Sequence, residues 1–451
     1  MNQTADVVIC GAGIAGVAAA YFLAKEGVKN ILLLDERPPL SLTSDRSTEC
    51  YRNWWPDAAM LALMNCSIDL LESLADESGN RFRMNRRGYL YVTADEKKAA
   101  ELETAARQIS SLGAGPLRIH SSSSLYYQPA SPEGFHDPFT GADLLIGNEV
   151  IHRYFPYLTN SAVAALHIRR AGWLSAQQLG IYLLEKARQY GAQFHSARVS
   201  SVDVVNDRVS GVRLSSGERI GCPMFVNAAG PYFKEVGHML GVDLPVYTEL
   251  HLKAALRDPL RVVGRDAPLL IWSDPQTLGW EGEEREALAE DAETRWLTES
   301  FPSGVHTRPE GGAESQTILM LWEYQTKVME PVWPPKLDEL YPEVALRGLV
   351  AMLPRMSEYF GRMPRPQIDG GYYTKTRENR PLVGPMGVDG AYAIGALSGY
   401  GIMCACGVGE LLAAHLTGKV LPSYAPAFML SRYEDSDYTK KLENWTESGQ
   451  L

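Results

Sequence analysis

What this 451-residue sequence has little of already removes several classes of function. No stretch approaches the roughly 20 uninterrupted apolar residues that a membrane-spanning helix requires. The opening Met-Asn-Gln-Thr-Ala-Asp carries no basic segment ahead of the first apolar run. A cytoplasmic location without a membrane span is therefore expected. Positive charge is in deficit: 43 Lys and Arg stand against 54 Asp and Glu, a formal net charge of -11. A phosphate backbone is held mainly by clustered Lys and Arg, so nucleic acid is not expected as a partner. Cysteine is scarce. The six present (Cys10, Cys50, Cys66, Cys222, Cys404, Cys406) show neither a disulfide framework nor paired zinc spacing, so free thiols and no metal are expected. Internal repeats and low-complexity linkers are missing as well. What remains is 45% hydrophobic, enough to bury more than one core, and two domains, consecutive or interleaved, are expected.

Against those absences stands "VVICGAGIAGVAAAYFLAKEGVKNILLLDE", Val7 to Glu36. Val7 to Cys10 suit a strand buried on both faces, and Ile14, Val17, Tyr21 and Ala24 recur at helical spacing up to Gly27. Ile31 to Leu34 read as a second buried strand, which puts Gly11, Gly13 and Gly16 at the first strand-to-helix turn of a βαβ unit. Gly11 permits the turn, Gly13 lets backbone approach a pyrophosphate at the helix N-terminus, and Gly16 lets the helix pack on the strand. Ala12, Ile14 and Ala15 share that loop. Asp35, followed by Glu36, comes nineteen residues after Gly16, where a carboxylate accepts hydrogen bonds from ribose hydroxyls. An acid there repels a 2′-phosphate, so FAD or NAD is favoured over NADP, with Arg37 the contrary charge; a purely structural glycine turn is the alternative.

Further along, "SAQQLGIYLLEKARQYGAQFHSARVSSV" offers Ser175 as an N-cap, an amphipathic helix ending near Gly191 and then a strand, like a second βαβ element. "VSGVRLSSGERIGCPMFVNAAG" alternates like a hairpin turning at Ser215, Ser216 and Gly217, then runs into a buried strand from Met224 to Asn227. Ala228, Ala229 and Gly230 leave room there for a ligand. The stretch Ser121 to Asp143 reads as loop, and the acidic "WEGEEREALAEDAETRW", Trp280 to Trp296, as a solvated helix. From Thr248 to Arg365, strand-like "ELHLKAAL", "PLLIWS" and "QTILMLWEY" accompany helical "LDELYPEVALRGLVAMLPRM", which reads as antiparallel sheet with helices inserted into the cofactor domain.

Four stretches, "DVVICGAGIAGVAAAYFLAKEG", "VNAAGPYFKEVGHMLG", "GGYYTKTRENRPLVGP" and "AYAIGALSGYGIMCACGVGELLAAHLTG", together resemble the D-amino-acid oxidase superfamily of FAD-dependent oxidoreductases, in the branch holding sarcosine oxidase, glycine oxidase and dimethylglycine dehydrogenase. The resemblance implies an α/β fold: a Rossmann-like FAD-binding domain (residues 1–90, 165–240 and 366–451) with an interleaved α+β substrate domain (91–164 and 241–365) built on an antiparallel sheet. It is faint between Ser121 and Asp143 and between Leu278 and Gln316, where insertions are expected. The family's closing strand, glycine loop and helix fall on Tyr392 to Leu397 and Ser398-Gly399-Tyr400-Gly401, with Gly395 on the strand. Gly399 and Gly401 then let backbone amides reach the flavin pyrimidine, and a helix from about Ile402 aims its positive end at reduced flavin. By the same resemblance Val199 meets the adenine through its backbone, and Ser47 and Thr48 face the pyrophosphate or ring.

Departures from the family pattern matter equally. Where relatives often place a carboxylate-binding lysine after the last loop glycine, this chain has Met403; Arg52, Arg308 and Lys253 are the candidate replacements, Arg52 first. "QTILMLWEY" lacks the lysine that promotes reaction with oxygen, which favours a dehydrogenase over an oxidase. Gly370 and Gly371 stand where sarcosine oxidase has its flavin-linking cysteine, so FAD is expected non-covalent, with Cys50 the remote alternative. The resemblance implies oxidation of a C–N bond of a small amine or amino acid, by hydride transfer to flavin N5 to give an imine, with O2 or another acceptor taking the electrons. If the sheet lies over the flavin, Tyr247, His251, Trp322, Tyr324, Tyr373 and Tyr400 supply an aromatic lining with few acidic neighbours. A 2-hydroxy-acid or polyol dehydrogenase and a non-catalytic flavoprotein scaffold are the alternatives.

Overall fold

The computed structural model describes residues 3–121 and 127–445. The apolar run Val7–Cys10 becomes a central strand because both of its faces are covered: Val7 and Ile9 join one core and Val8 another. It sits in a six-stranded sheet ordered Gln193–Ser196, Ile31–Asp35, Val7–Cys10, Met224–Asn227, Ala391–Gly395, Leu382–Pro385. All neighbours are parallel except the last pair. Helices Ile14–Lys25, Ala176–Gln189 and Gly401–Thr417 cover one face. Ser175 caps the second of these through the N–H of Gln178. The other face packs on a four-stranded sheet that contains the expected hairpin, Arg208–Leu214 with Arg219–Gly221.

The substrate-side layer is one nine-stranded sheet, ordered from the edge strand Gln367–Lys375 through Tyr247–Arg257, Thr317–Leu321, His306–Glu310, Leu269–Trp272, Tyr89–Thr93, Ala164–Ile168 and Ala142–Ile146 to Leu117–His120. Two of its pairings are parallel, Leu269–Trp272 with Tyr89–Thr93 and Leu117–His120 with Ala142–Ile146. The sequence boundaries at 90, 165 and 366 cut through or miss three of these strands. Tyr89–Thr93 and Ala164–Ile168 pair with each other inside this sheet, and Gln367–Lys375 pairs with Tyr247–Arg257 rather than with the cofactor sheet. Hydrophobic pattern does not distinguish which of two sheets a buried strand joins.

Of the Ser121 to Asp143 stretch read as loop, residues 122–126 lie outside the described residues, and 127–141 contain no helix or strand. The acidic stretch forms the helix Gly282–Glu290 with no buried residue. Helix Ala58–Ser78 is, by length and composition alone, apolar enough to cross a membrane, although its apolar residues do not form one uninterrupted run. Half of its apolar window is buried inside the protein, against helix Gly401–Thr417, and its Asp69 and Glu72 hold Arg170.

A buried histidine ties the nine-stranded sheet to the loop beside it. His167 Nε2 donates to the Arg87 carbonyl and Nδ1 accepts from the Tyr127 hydroxyl, both at 2.9 Å. The ring passes so close to Gly88, at φ +86°, that a Cβ there would stand 2.0 Å from Nε2. Burial, aided by the charge of Arg169, lowers the His167 pKa to about 4. A depressed histidine pKa stabilises the fold above the unfolded value near 6.5, and that contribution is lost as pH falls from there to about 4. The stability advantage of wild type over His167→Gln is therefore expected to shrink by on the order of 3 kcal/mol between about pH 7 and about pH 4, read as converging thermal midpoints; parallel pH curves for the two proteins would contradict it.

Candidate active site

Two helix N-termini, Ile14–Lys25 and Gly401–Thr417, open on one channel. Gly11, at φ +108°, makes the turn, and a Cβ on it would stand 2.3 Å from the Ala228 carbonyl. A Cβ on Gly16 would lie 1.9 Å from the Gly11 carbonyl, so Gly16 seats the helix on its own turn. Gly13 is different. Its φ of -69° suits any residue, and a Cβ would meet only Ser44 Oγ at 3.4 Å, so what its missing side chain leaves open is the channel itself. Ser44 Oγ accepts the N–H of Ile14 at 3.0 Å, capping from outside a helix whose own N-cap offers no side chain. Sequence reasoning missed Ser44, although "SLTSDRST" placed hydroxyls just after the second strand. Ala15, Thr43, Ser47, Ala228 and Gly230 line the same channel.

At one end the channel meets a recess bordered by Gly11, Asp35, Glu36 and Val199. Each Asp35 oxygen already accepts one backbone N–H, from Ala12 at 2.8 Å and Arg37 at 2.9 Å. Its first role is thus to fix the glycine loop, and its further lone pairs remain able to accept hydrogen bonds from a ligand. Arg37 is held by Glu36 at 2.8 Å. At the other end the closing turn presents Gly395, Ser398, Gly399, Gly401 and Ile402 to the channel. Ala396 (φ +55°) and Ser398 (φ +45°) occupy the left-handed region without being glycine, strain of the kind that collects at ligand clamps. The Ser398 N–H is pinned to the Thr374 carbonyl at 2.9 Å.

Beyond Tyr373 and Gly399, which border both spaces, the channel opens into a cleft. Strand alternation builds its wall. Glu249, His251 and Lys253 share one face of Tyr247–Arg257, and Gly371 lies opposite His251 in the neighbouring strand. That gap lets the imidazole lean over the next residue on the face, Tyr373, with the rings stacked at 3.8 Å. His251 Nε2 lies 3.2 Å from Glu249 and Nδ1 lies 3.0 Å from Glu323; Lys375 is 3.1 Å from Glu249. Burial opposes a charge on His251, but the bonds to the two carboxylates outweigh it and raise its pKa above the ordinary value. Burial alone would raise the Glu323 carboxyl, and His251 holds it below the usual range instead. His306, also on the cleft wall, donates Nδ1–H to the Gly304 carbonyl at 2.8 Å, and burial lowers its pKa. It is the neutral histidine of the pair. His306, Glu249 and Glu323 were not singled out from sequence, and the expectation of few acidic neighbours is overturned by the latter two.

The other predicted residues divide. Arg52, 7% exposed, lines the cleft with its guanidinium 4.6 Å over Trp55, and bonds to the Trp54 carbonyl and Tyr91 hydroxyl. Thr48, Trp322, Tyr400 and Met403 line it too, but the Tyr400 hydroxyl is committed to the Asn379 carbonyl at 2.7 Å. Arg308 is no substrate clamp: fully enclosed, it binds the Thr48 carbonyl at 2.8 Å and pairs with Glu310 and Glu49. Lys253 likewise donates to the Ser47 carbonyl at 2.8 Å. Tyr324 does not border the inner cleft; it lines an outer recess and stacks on Tyr341 and Trp296. Tyr247 borders neither space. The Cys50 thiol donates to the Thr48 carbonyl, and burial raises its pKa, so it stays protonated.

The three spaces run in the order a flavin dinucleotide requires: an acid-edged recess for ribose, a glycine-lined channel under two positive helix ends for pyrophosphate and ring, and a cleft against the ring's far end. A family model described as FAD dependent oxidoreductase matches residues 6–415. Human (Homo sapiens) mitochondrial dimethylglycine dehydrogenase is 24% identical over 415 residues, 91% of this chain and 42% of that protein. The chain thus spans less than half the length of the curated relatives that match it across most of its length. L-proline dehydrogenase from P. horikoshii superposes with a TM-score of 0.72 at 19% identity, covering 96% of this chain and 99% of that one. Glycine oxidase from Geobacillus kaustophilus gives 0.73 at 15% identity, with the same coverage.

The glycine geometry separates folding from binding. Gly13→Ala is expected to leave the thermal midpoint of flavin-free protein unchanged while weakening FAD uptake by about 10-fold or more, because the methyl stands where pyrophosphate meets the helix. Gly16→Val is expected to give no folded protein. Flavin fluorescence titration checks the first; unchanged FAD affinity in Gly13→Ala would contradict the channel assignment.

Proposed function

The chain belongs to the family of FAD-dependent oxidoreductases, and on that premise we propose that it oxidises the C–N bond of a small amine or amino acid held in the cleft beside Arg52, His306 and Tyr373. The observation that carries the reading is the junction at Tyr373 and Gly399, where the dinucleotide channel and a cleft containing both a guanidinium and a neutral imidazole become one space.

The glycine loop, Asp35 and the Ser398 to Ile402 turn would hold FAD. When bound, the flavin would supply the two-electron acceptor for a hydride from the carbon next to nitrogen, leaving an imine for water to hydrolyse. The protein supplies the rest. Arg52, backed by Trp55, is placed to bind a substrate carboxylate. Tyr373 and Trp322 wall the chamber and exclude water. An amine donates hydride only as the free base, so its ammonium must first lose a proton, and His306 is suited to take it at Nε2, because Nδ1–H is already committed to Gly304. With Cys50 protonated and hydrogen-bonded, non-covalent FAD is the form that fits. The electrons then pass to O2 or to another acceptor.

Anaerobic mixing of holoprotein with amines, amino acids and 2-hydroxy acids tests this. Bleaching by amines is the expected result, and bleaching by hydroxy acids alone would remove the proposal. His306→Asn is expected to slow reduction by an amine roughly 100-fold near neutral pH, with the deficit narrowing as pH approaches the amine's own pKa. A deficit independent of pH would assign His306 a structural part only.

A further inference from the structure

The cleft does not stop at its inner chamber. His251, Leu252, Trp322 and Glu323 border both that chamber and an outer recess, which touches no residue of the dinucleotide channel. Glu323 therefore stands on the outward side of the reacting position, at the neck between the two spaces. It is the single carboxylate on the inner wall among the described residues. The backbone there is fixed: the Trp322 N–H donates to the Tyr341 hydroxyl at 2.8 Å.

The charges around the neck are arranged in layers. Glu249 lies behind His251 and is matched by Lys375 at 3.1 Å. His251 in turn reaches Glu323 Oε1 at 3.0 Å. Glu323 Oε2 has no hydrogen-bond partner among the described residues, and the side chain is 37% exposed. Tyr324, Tyr341 and Trp322 flank the outer side with aromatic surface, which favours a cation through its π faces. Lys327 and Lys336 also border the recess, but both are exposed, where charge is screened by solvent and salt, and Asp338 stands with them.

We propose that the substrate carries a second, cationic nitrogen outward of the reacting C–N bond, and that Glu323 is the residue that selects it, with Oε2 taking a charge-assisted hydrogen bond from that nitrogen. The proposal rests on the amine-oxidation reading for its orientation. With a carboxylate at Arg52 and the reacting carbon at the Tyr373 and Gly399 junction, the distal end of an extended basic amino acid or diamine reaches the neck.

Matched pairs test it on the holoenzyme. Lysine against norleucine, and cadaverine against pentylamine, differ by the distal amine alone. Wild type is expected to prefer the dibasic member by about 10- to 100-fold in kcat/KM for anaerobic flavin reduction, the range of one charge-assisted hydrogen bond. Glu323→Gln is expected to abolish that ratio and Glu323→Asp to restore most of it. A second readout needs no turnover: calorimetric titration with 6-aminohexanoate, which has a carboxylate and a distal ammonium at lysine's spacing but no nitrogen on the carbon beside the carboxylate, against hexanoate. 6-Aminohexanoate should bind wild type about 10-fold tighter or better, and equally with hexanoate in Glu323→Gln. No preference in wild type, or an equal loss for lysine and norleucine in Glu323→Gln, overturns the proposal; the latter would place Glu323 at the reacting ammonium instead. If no amine reduces the flavin yet 6-aminohexanoate binding depends on Glu323, the reaction is wrong and the cation site stands.

Discussion

Everything the channel does depends on how closely helix Gly401–Thr417 lies against helix Ile14–Lys25. A Cβ on Gly409 would come within 3.1 Å of Ala18 and 2.9 Å of Phe22, and one on Gly407 within 2.9 Å of Ser67 in helix Ala58–Ser78. Side chains at those positions would push the helices apart. Without them, two segments from opposite ends of the chain bring their N-termini to the same space, fed by the adjacent parallel strands Val7–Cys10, Met224–Asn227 and Ala391–Gly395. Neither first turn contains an acid, and neither N-cap residue caps its helix with a side chain. The positive ends of both backbone dipoles are thus left for a ligand, which suits the pyrophosphate at one and an electron-rich ring at the other.

The second constraint is that the substrate-side sheet holds the cofactor-side loop. Arg308 and Lys253 project from neighbouring parts of the nine-stranded sheet and donate to the carbonyls of Thr48 and Ser47. That loop begins and ends with residues at positive φ, Leu40 and Glu49, a conformation that needs outside support. A fully buried guanidinium is tolerated because Glu310 and Glu49 accompany it. The two cations that looked, in sequence, like candidate substrate clamps therefore bind the two layers together, and the only guanidinium bordering the cleft among the described residues is Arg52.

Legibility in the sequence followed the range of the interaction. The glycine loop, the hairpin at Ser215 to Gly217, the Ser175 cap and the closing turn were readable because each is settled within a few residues. The strand Gln367–Lys375, grouped with the cofactor domain by the boundary at 366, pairs with Tyr247–Arg257, and its alternation does not name that partner. His251 was expected only as part of the lining that a sheet over the flavin would supply, whereas Glu249 on the same face and Glu323 just past a different strand belong to the site only through sheet register. His306 was invisible for the same reason, lying two strands along from His251 in the sheet order. Ser44 caps a helix thirty residues away in sequence, and no local pattern announces a cap supplied from elsewhere.

The two histidines of the cleft show how one chamber carries opposite proton affinities. His251 is nearly as enclosed as His306, yet it meets two carboxylates while His306 meets a carbonyl. Burial disfavours the charged form of both, and only at His251 is it outweighed. The result is a chamber with one imidazole whose charged form the neighbouring carboxylates favour, and one whose charged form burial disfavours. Had both stood among carboxylates, the chamber would contain no neutral base. Had both been isolated, the neck would bear an unmatched carboxylate at Glu323 and lose the anchor that positions it. Environments that drive two like groups apart are how acid and base roles are assigned within a single site, and here the assignment is made by which face of which strand each residue occupies.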